Sequence, residues 1–297
     1  MIKIGTRGSD LALWQARFLQ SEIRKLGLDS TLSIIKTKGD KIQDLSFDKI
    51  EGKGFFTKEI EEALLNHTVD IAVHSMKDLP TEMPQGLVLA AVSYRANPAD
   101  VLLVNEDKAS QNDPLMLRPN ATVGTSSSRR KALLIDIRPD LVIKDLRGNV
   151  PTRVAKLKSG EYDAIVLAKA GIERLELPLE GVVMRELYPR EFVPAPAQGI
   201  LAFQCREEDR EMRKTLLKIH NAEIAECSNV ERRVLKLLGG GCHLPLGVFC
   251  EKDVVGNYHV HAAYSPNVDE PLRKINISYS TTVGLAEAVF EKLKNNN

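Results

Sequence analysis

"ATVGTSSSRRKALLIDIRP", residues 121–139, and "DLVIKDLRGNVPTRVAKLKSG", residues 140–160, decide the fold. Each opens on a short β-rich run, turns through glycine, serine or asparagine, and continues with apolar residues at helical spacing. "DAIVLAKAGIERL", residues 163–175, repeats the rhythm. Toward the N-terminus the same alternation recurs. "IKIGT" (2–6) reads as a strand, and "SDLALWQARFLQSEIRKLG" (9–27) as a helix with Ser9 as N-cap and Gly27 as stop. "STLSIIKT" (30–37) is a strand, "FTKEIEEALLNH" (56–67) a helix and "VDIAVHS" (69–75) a strand. Alternating β and α implies mainly parallel sheets covered by helices. The expected architecture is two α/β domains, residues 1–95 with 194–212 and residues 99–188.

Beyond "PAPAQGILAFQC" (194–205) the pattern changes. Residues 208–238 read as helical, 246–252, 257–264 and 273–279 as strands, and 282–294 as a last helix. Consecutive strands with short turns predict a small α+β domain over 215–297, an antiparallel sheet with helices on one face.

Composition narrows the function. The 297 residues are 43% hydrophobic and 27% charged, as a packed globular protein requires. No apolar run approaches the roughly 20 residues of a membrane helix. The start, "MIKIGTRGSD", lacks the apolar centre of a signal peptide, so the expected location is cytoplasmic. Cys205, Cys227, Cys242 and Cys250 form no CxxC pair, which argues against a metal site and for free thiols. Net charge is +1, too little for a bulk attraction to nucleic acid. Yet Arg129, Arg130, Arg147, Arg153 and Arg174 fall within 46 residues that hold few aromatic rings. Nucleic-acid grooves interleave rings with cations. Convergent arginines without them suit a ligand with several carboxylates or phosphates.

In α/β sheets, ligands bind where strand ends meet helix N-termini. Arg7, Ser9, Thr125, Ser126, Ser127, Arg129, Arg147 and Asn149 stand at such turns. "VHSMKDLP" (73–80) ends a buried strand, which puts Lys77 and Asp78 at its mouth. His74, within the strand, reads as a hydrogen-bonded structural histidine. "KTKGDKIQDLSFDKIEGKGFFTK" (36–58) is lysine-rich and interrupted by glycines, and is expected to form a lid. "LGGGCHLPLG" (238–247) sets Cys242 among glycines that let a bulky adduct approach the backbone. No histidine–carboxylate pair is fixed beside it, so attachment point suits this thiol better than nucleophile.

"TRGSDLALWQA", "GKGFFTKE", "VHSMKDLP", "GTSSSRR", "LRGNVPTR", "EYDAIVLAKAGIERL", "PAPAQG" and "GGGCHLPLG" occur in the order found in the porphobilinogen deaminases, also called hydroxymethylbilane synthases. The resemblance runs from residue 4 to about 250. It implies an enzyme of tetrapyrrole biosynthesis that joins four porphobilinogen molecules head to tail, losing ammonia each time. It implies a dipyrromethane cofactor held by a thioether to Cys242, with Lys77, Ser127, Arg129 and Arg130 on the cofactor's carboxylates. Arg7, Ser9, Arg147, Arg153 and Arg174 match substrate-binding positions, and Lys53 and Lys58 match the lid. Asp78 matches the carboxylate that stabilises cationic pyrroles and moves protons. The resemblance also implies a monomer, no resident metal, no nucleic acid or membrane partner, and hand-over of product to uroporphyrinogen-III synthase. Ala197, Gly239, Ser128 and Pro151 depart from the commonest family pattern, and bear on loop geometry. The paired α/β architecture also resembles periplasmic anion-binding proteins, the non-enzymatic rival, which have no use for a cysteine in a glycine loop.

Overall fold

A computed structural model describes residues 1–37, 57–241, 244–266 and 270–295. Lys53, Cys242 and all but the end of the expected lid lie outside these residues. In chain order come β1 (Ile2–Thr6), α1 (Asp10–Lys25), β2 (Ser30–Ile34), α2 (Lys58–Leu65), β3 (Ile71–Ser75), β4 (Leu87–Val92) and β5 (Asp100–Asn105). Next are β6 (Thr122–Gly124), α3 (Ser128–Ile137), β7 (Val142–Lys144), α4 (Val150–Lys158), β8 (Ala164–Ala168), α5 (Lys169–Leu175) and β9 (Val182–Leu187). The chain ends with β10 (Leu201–Arg206), α6 (Arg210–Leu217), α7 (Ala222–Leu237), β11 (Leu246–Lys252), β12 (Tyr258–Tyr264), β13 (Arg273–Tyr279) and α8 (Leu285–Asn295).

The described residues form two compact units. One takes 1–37, 57–96 and 199–226; the other takes 97–198 and the described residues from 227 on. The first holds a five-stranded sheet in the order β2-β1-β3-β10-β4. β1 runs parallel to β2 and β3, while β10 runs antiparallel to both β3 and β4. The second unit repeats the plan in the order β7-β6-β8-β5-β9, with β5 as its reversed strand. These sheets are mainly parallel, as the alternation implied, but each admits one strand of opposite sense. β5 and β10 are buried at every residue, so neither face of either strand meets water.

Local chemistry builds the helices. The Ser9 hydroxyl accepts the Ala12 N–H at 3.4 Å, Asp10 opens α1, and Arg24 and Lys25 close it, each charge opposing the helix dipole. Gln15, Ala16, Leu19 and Ile23 form the buried stripe of α1, over a core that includes Ile4, Ile71, Val73 and Phe203.

The helical stretch expected over 208–238 consists of two helices, α6 and α7. The chain breaks at Asn221, whose Oδ1 accepts the Ile224 N–H at 3.0 Å and whose own N–H donates to the Val92 carbonyl at 3.0 Å. The Val92 N–H in turn donates to Nδ1 of His220 at 3.2 Å. Pairing with the end of β4 is worth more there than another helical turn. The C-terminal sheet is antiparallel in the order β11-β12-β13. One face packs on α7 and α8 through Val248, Val260, Ile275, Val234 and Val289. Phe249 and Ala263 face the other way and join a core with Phe192 and Val193.

Candidate active site

In the first unit β1 and β3 are parallel neighbours, so their C-terminal ends share one sheet edge. Arg7 and Ser9 follow β1. After β3 comes a single 3-10 turn, Met76–Asp78, closed by the Leu79 N–H on the Met76 carbonyl at 3.2 Å. Met76 is buried, which pins the turn, while Lys77 is half-buried and Asp78 exposed. The buried Gln15 side chain reaches from α1 to the Ser75 hydroxyl at 2.8 Å, and the Met76 N–H donates to the Ile200 carbonyl at 2.9 Å. Asp78 therefore stands on a turn braced from two sides. His74, within β3, is bonded to Gln204 at 3.1 Å, and burial pushes its pKa down to about 4. It is a neutral structural group. Lys58, the first residue of α2, is exposed.

In the second unit β7, β6 and β8 are parallel neighbours, which brings the starts of α3, α4 and α5 to one edge. Ser127 caps α3 by accepting the Arg130 N–H at 3.4 Å. Asn149 caps α4 by accepting the Thr152 N–H at 2.9 Å and the Thr152 hydroxyl at 2.7 Å. Ser126 ties the two turns together: its hydroxyl donates to the Leu146 carbonyl and accepts the Leu146 N–H, both at 3.0 Å. Arg147 and Arg153 stand half-buried around the second turn, Arg153 donating from Nε to the Gly148 carbonyl at 2.7 Å. Gly148 has φ +110, and a Cβ there would lie 2.7 Å from Thr152, so only glycine fits this turn. Arg174 is half-buried on α5.

Arg129 and Arg130 are nearly buried, 5% and 7% exposed, and both meet Asp100, which is 0% exposed. Arg129 donates from Nη1 to Asp100 Oδ2 at 2.8 Å and to the Val193 carbonyl at 2.8 Å. Arg130 donates to Asp100 Oδ1 from Nη2 at 2.7 Å and from Nε at 3.2 Å, and from Nη1 to the Val166 carbonyl at 3.1 Å. Gln198 Nε2 adds a fourth bond to the same carboxylate, to Oδ1 at 3.0 Å. Burial alone would raise the Asp100 pKa. The two guanidinium groups outweigh it and hold the carboxyl far below the usual range. One anion against two cations leaves one positive charge in excess, beside a capped helix N-terminus.

The sequence offers no hint that these two arginines share a carboxylate, because Asp100 lies 29 and 30 residues away. Its signal was present in another form: Asp100 is the one charge inside the apolar run "ADVLLV" (99–104). Gln15, Ser75 and Gln198 were likewise missed as braces of the site.

Fold and site together define an α/β protein with two sheet edges lined by capped helix starts and arginines, one of them carrying a lysine–aspartate turn. The family model of the porphobilinogen deaminase dipyromethane cofactor binding domain matches residues 2–214. A porphobilinogen deaminase of Nitratiruptor sp. is 45% identical over 250 residues, covering 83% of this chain and 77% of that one. That of Sulfurimonas denitrificans is 43% identical over 281 residues, 93% of this chain and 87% of its own. This chain belongs to the porphobilinogen deaminase family, the hydroxymethylbilane synthases of tetrapyrrole biosynthesis, and carries the family's dipyrromethane cofactor domain. Among solved structures it is also similar to the periplasmic VFT2 domain of Bordetella pertussis BvgS, at 16% identity and a TM-score of 0.44, covering 75% of this chain and 90% of that one. No helix among the described residues is long and apolar enough to cross a membrane.

Proposed function

We propose that the chain condenses four porphobilinogen molecules into hydroxymethylbilane, with Asp78 as its acid–base carboxylate and Cys242 as the thioether anchor of the dipyrromethane. The observation that carries this is the braced Lys77–Asp78 turn, on the same sheet edge as Arg7 and Ser9, in a chain of this family.

The donor set fits the cofactor. A dipyrromethane brings two acetates and two propionates. The α3 N-terminus offers backbone N–H groups, the Ser127 hydroxyl and the excess charge of the Arg129–Arg130–Asp100 cluster; Lys77 is added only by its match to the family's cofactor-binding lysine. When bound, the dipyrromethane supplies the primer to which substrate units are joined.

Arg7, Ser9, Arg147, Arg153 and Arg174 bind the acetate and propionate groups of incoming porphobilinogen. Each charge-assisted hydrogen bond contributes about 1.5–3 kcal/mol, enough to orient a small dicarboxylate through two or three contacts. The Asp78 carboxylate accepts the pyrrole N–H, opposes the positive charge that develops as ammonia leaves, and takes up the proton that ring substitution releases. A fixed anion helps most where charge is greatest, in the transition state. Lys53 and Lys58 match the family's positions for further substrate-facing cations. We further propose a cytoplasmic monomer that hands its product to uroporphyrinogen-III synthase, which light scattering and a pull-down test directly.

Two measurements decide the reading. Purified protein from cells that make porphobilinogen is expected to carry the mass of two linked pyrroles, and Cys242→Ala to lack it. Added porphobilinogen is expected to release ammonia as the linear product forms. Unmodified wild-type protein that releases no ammonia would overturn it.

A further inference from the structure

Glu231 lies on α7 and is 0% exposed, a setting in which a carboxylate requires bonded partners. Its Oε2 accepts the Ala197 N–H at 2.6 Å and its Oε1 accepts the Cys250 N–H at 2.7 Å. Ala197 has φ +63, a left-handed conformation that alanine adopts only at a cost. Something must hold it, and the carboxylate is bonded to its amide.

The residues joined in this way matter for the site. Cys250 belongs to β11, the edge strand of the C-terminal sheet, and β11 begins four residues after Cys242 in the sequence. The outer edge of β11 lies on residues 193–197. The Val248 N–H donates to the Pro194 carbonyl at 3.0 Å, and a Cβ on Gly247 would stand 2.4 Å from the Val193 carbonyl oxygen. The same segment also holds the arginine cluster. The Val193 carbonyl accepts Arg129, and the Gln198 side chain donates to Asp100 and, at 2.8 Å, to the Pro98 carbonyl. Residues 193–198 are thus a strut between β11 and the arginines, and Glu231 fastens it at Ala197.

We infer that Glu231 is a positioning residue: by clamping Ala197 to Cys250 it holds the segment 193–198, and with it the Val193 carbonyl and the Gln198 side chain, in place against the Arg129–Arg130–Asp100 cluster. This rests on the function proposed above. Glu231 touches no reacting atom and acts through the strut alone.

The test uses loaded enzyme. Glu231→Gln keeps the length of the side chain but turns one acceptor into a donor, so it can serve one N–H and opposes the other. The expected variant folds and carries the same added mass as wild type. Its kcat falls roughly 10–100-fold, the scale of an ångström of misplacement, with KM little changed. The Ala197 and Cys250 amides exchange with solvent about tenfold faster or more. A purely structural role would lower the thermal midpoint and leave the kcat of folded, loaded enzyme at the wild-type value, and that result overturns the inference. Amides that exchange at wild-type rates overturn it too. Should Glu231→Gln not fold, Glu231→Asp keeps the charge but is one methylene too short for both N–H groups, and folded Glu231→Asp with wild-type kcat decides against the clamp. Wild-type protein without the added mass would sink the proposed function instead, while the exchange of the two amides still reads the clamp.

Discussion

Replacing Asp100 with asparagine removes one charge from the buried cluster and almost no volume. In the wild type the carboxylate accepts from Arg129, twice from Arg130 and once from Gln198. An amide still accepts on its oxygen, but its NH₂ must then face a guanidinium donor. Two guanidinium groups, 5% and 7% exposed, are left without a counter-charge. Breaking a buried ion pair by removing one partner costs about 3–5 kcal/mol, and two cations here share the partner, so the upper half of that range is expected. Urea unfolding followed by circular dichroism, with exchange of the Val101 and Val166 amides beside the cluster, measures the loss. The pH dependence supplies an independent check. Asp100 has a depressed carboxyl pKa in the folded protein, so its contribution is fully present above the ordinary carboxylate pKa near 4 and is lost as pH falls further. The gap between wild type and Asp100→Asn is therefore flat from pH 8 to 5 and narrows only below that. A loss under about 1 kcal/mol, or a gap that already closes between pH 8 and 5, would refute the reasoning.

Asp78→Asn alters an exposed side chain, so circular dichroism and cofactor mass stay as in wild type while the rate falls about 10²–10⁴-fold; Asp78→Glu retains part of the activity. His74 titrates near 6.5 when unfolded and near 4 when folded, so stability falls as pH drops through that window, by roughly 3 kcal/mol in all. His74→Gln, which cannot take up the proton, is expected to flatten unfolding midpoints measured from pH 7 to 4. Gly247→Ala forces a methyl onto the Val193 carbonyl, 2.4 Å away, and is expected to cost about 2–3 kcal/mol or more in a thermal melt. A variant as stable as wild type would mean that β11 does not press on the strut.

The parts of the fold that were legible in sequence are the ones set by neighbouring residues. Ser9, Ser127 and Asn149 each announce a helix start that the structure closes with a side-chain cap within three residues. The reversed strands are different. Nothing local in "LAFQCR" says that β10 enters between β3 and β4, because that choice is made by partners more than 100 residues away. The break between α6 and α7 was hidden for the same reason, since the groups that end the helix bond to Val92. Within the site, Lys77 and Asp78 stood out because a strand runs straight into them. Asp100 and Glu231 did not, because a carboxylate's partners are invisible when the chain returns to them from afar. Glu231, in "NVERRV", reads as one more solvated charge on a polar helix.

The insertion of β10 also fixes an order of events during synthesis. β4 leaves the ribosome early, yet its neighbour in the sheet is β10, which follows some 110 residues later. Strands β5 to β9 are contiguous between Asp100 and Leu187, and all of them leave the ribosome before β10 does. The strand set of the N-terminal sheet is therefore begun first and completed second. Until Leu201–Arg206 emerges, the nascent chain exposes the apolar edges of β3 and β4, the interval in which it most needs a chaperone.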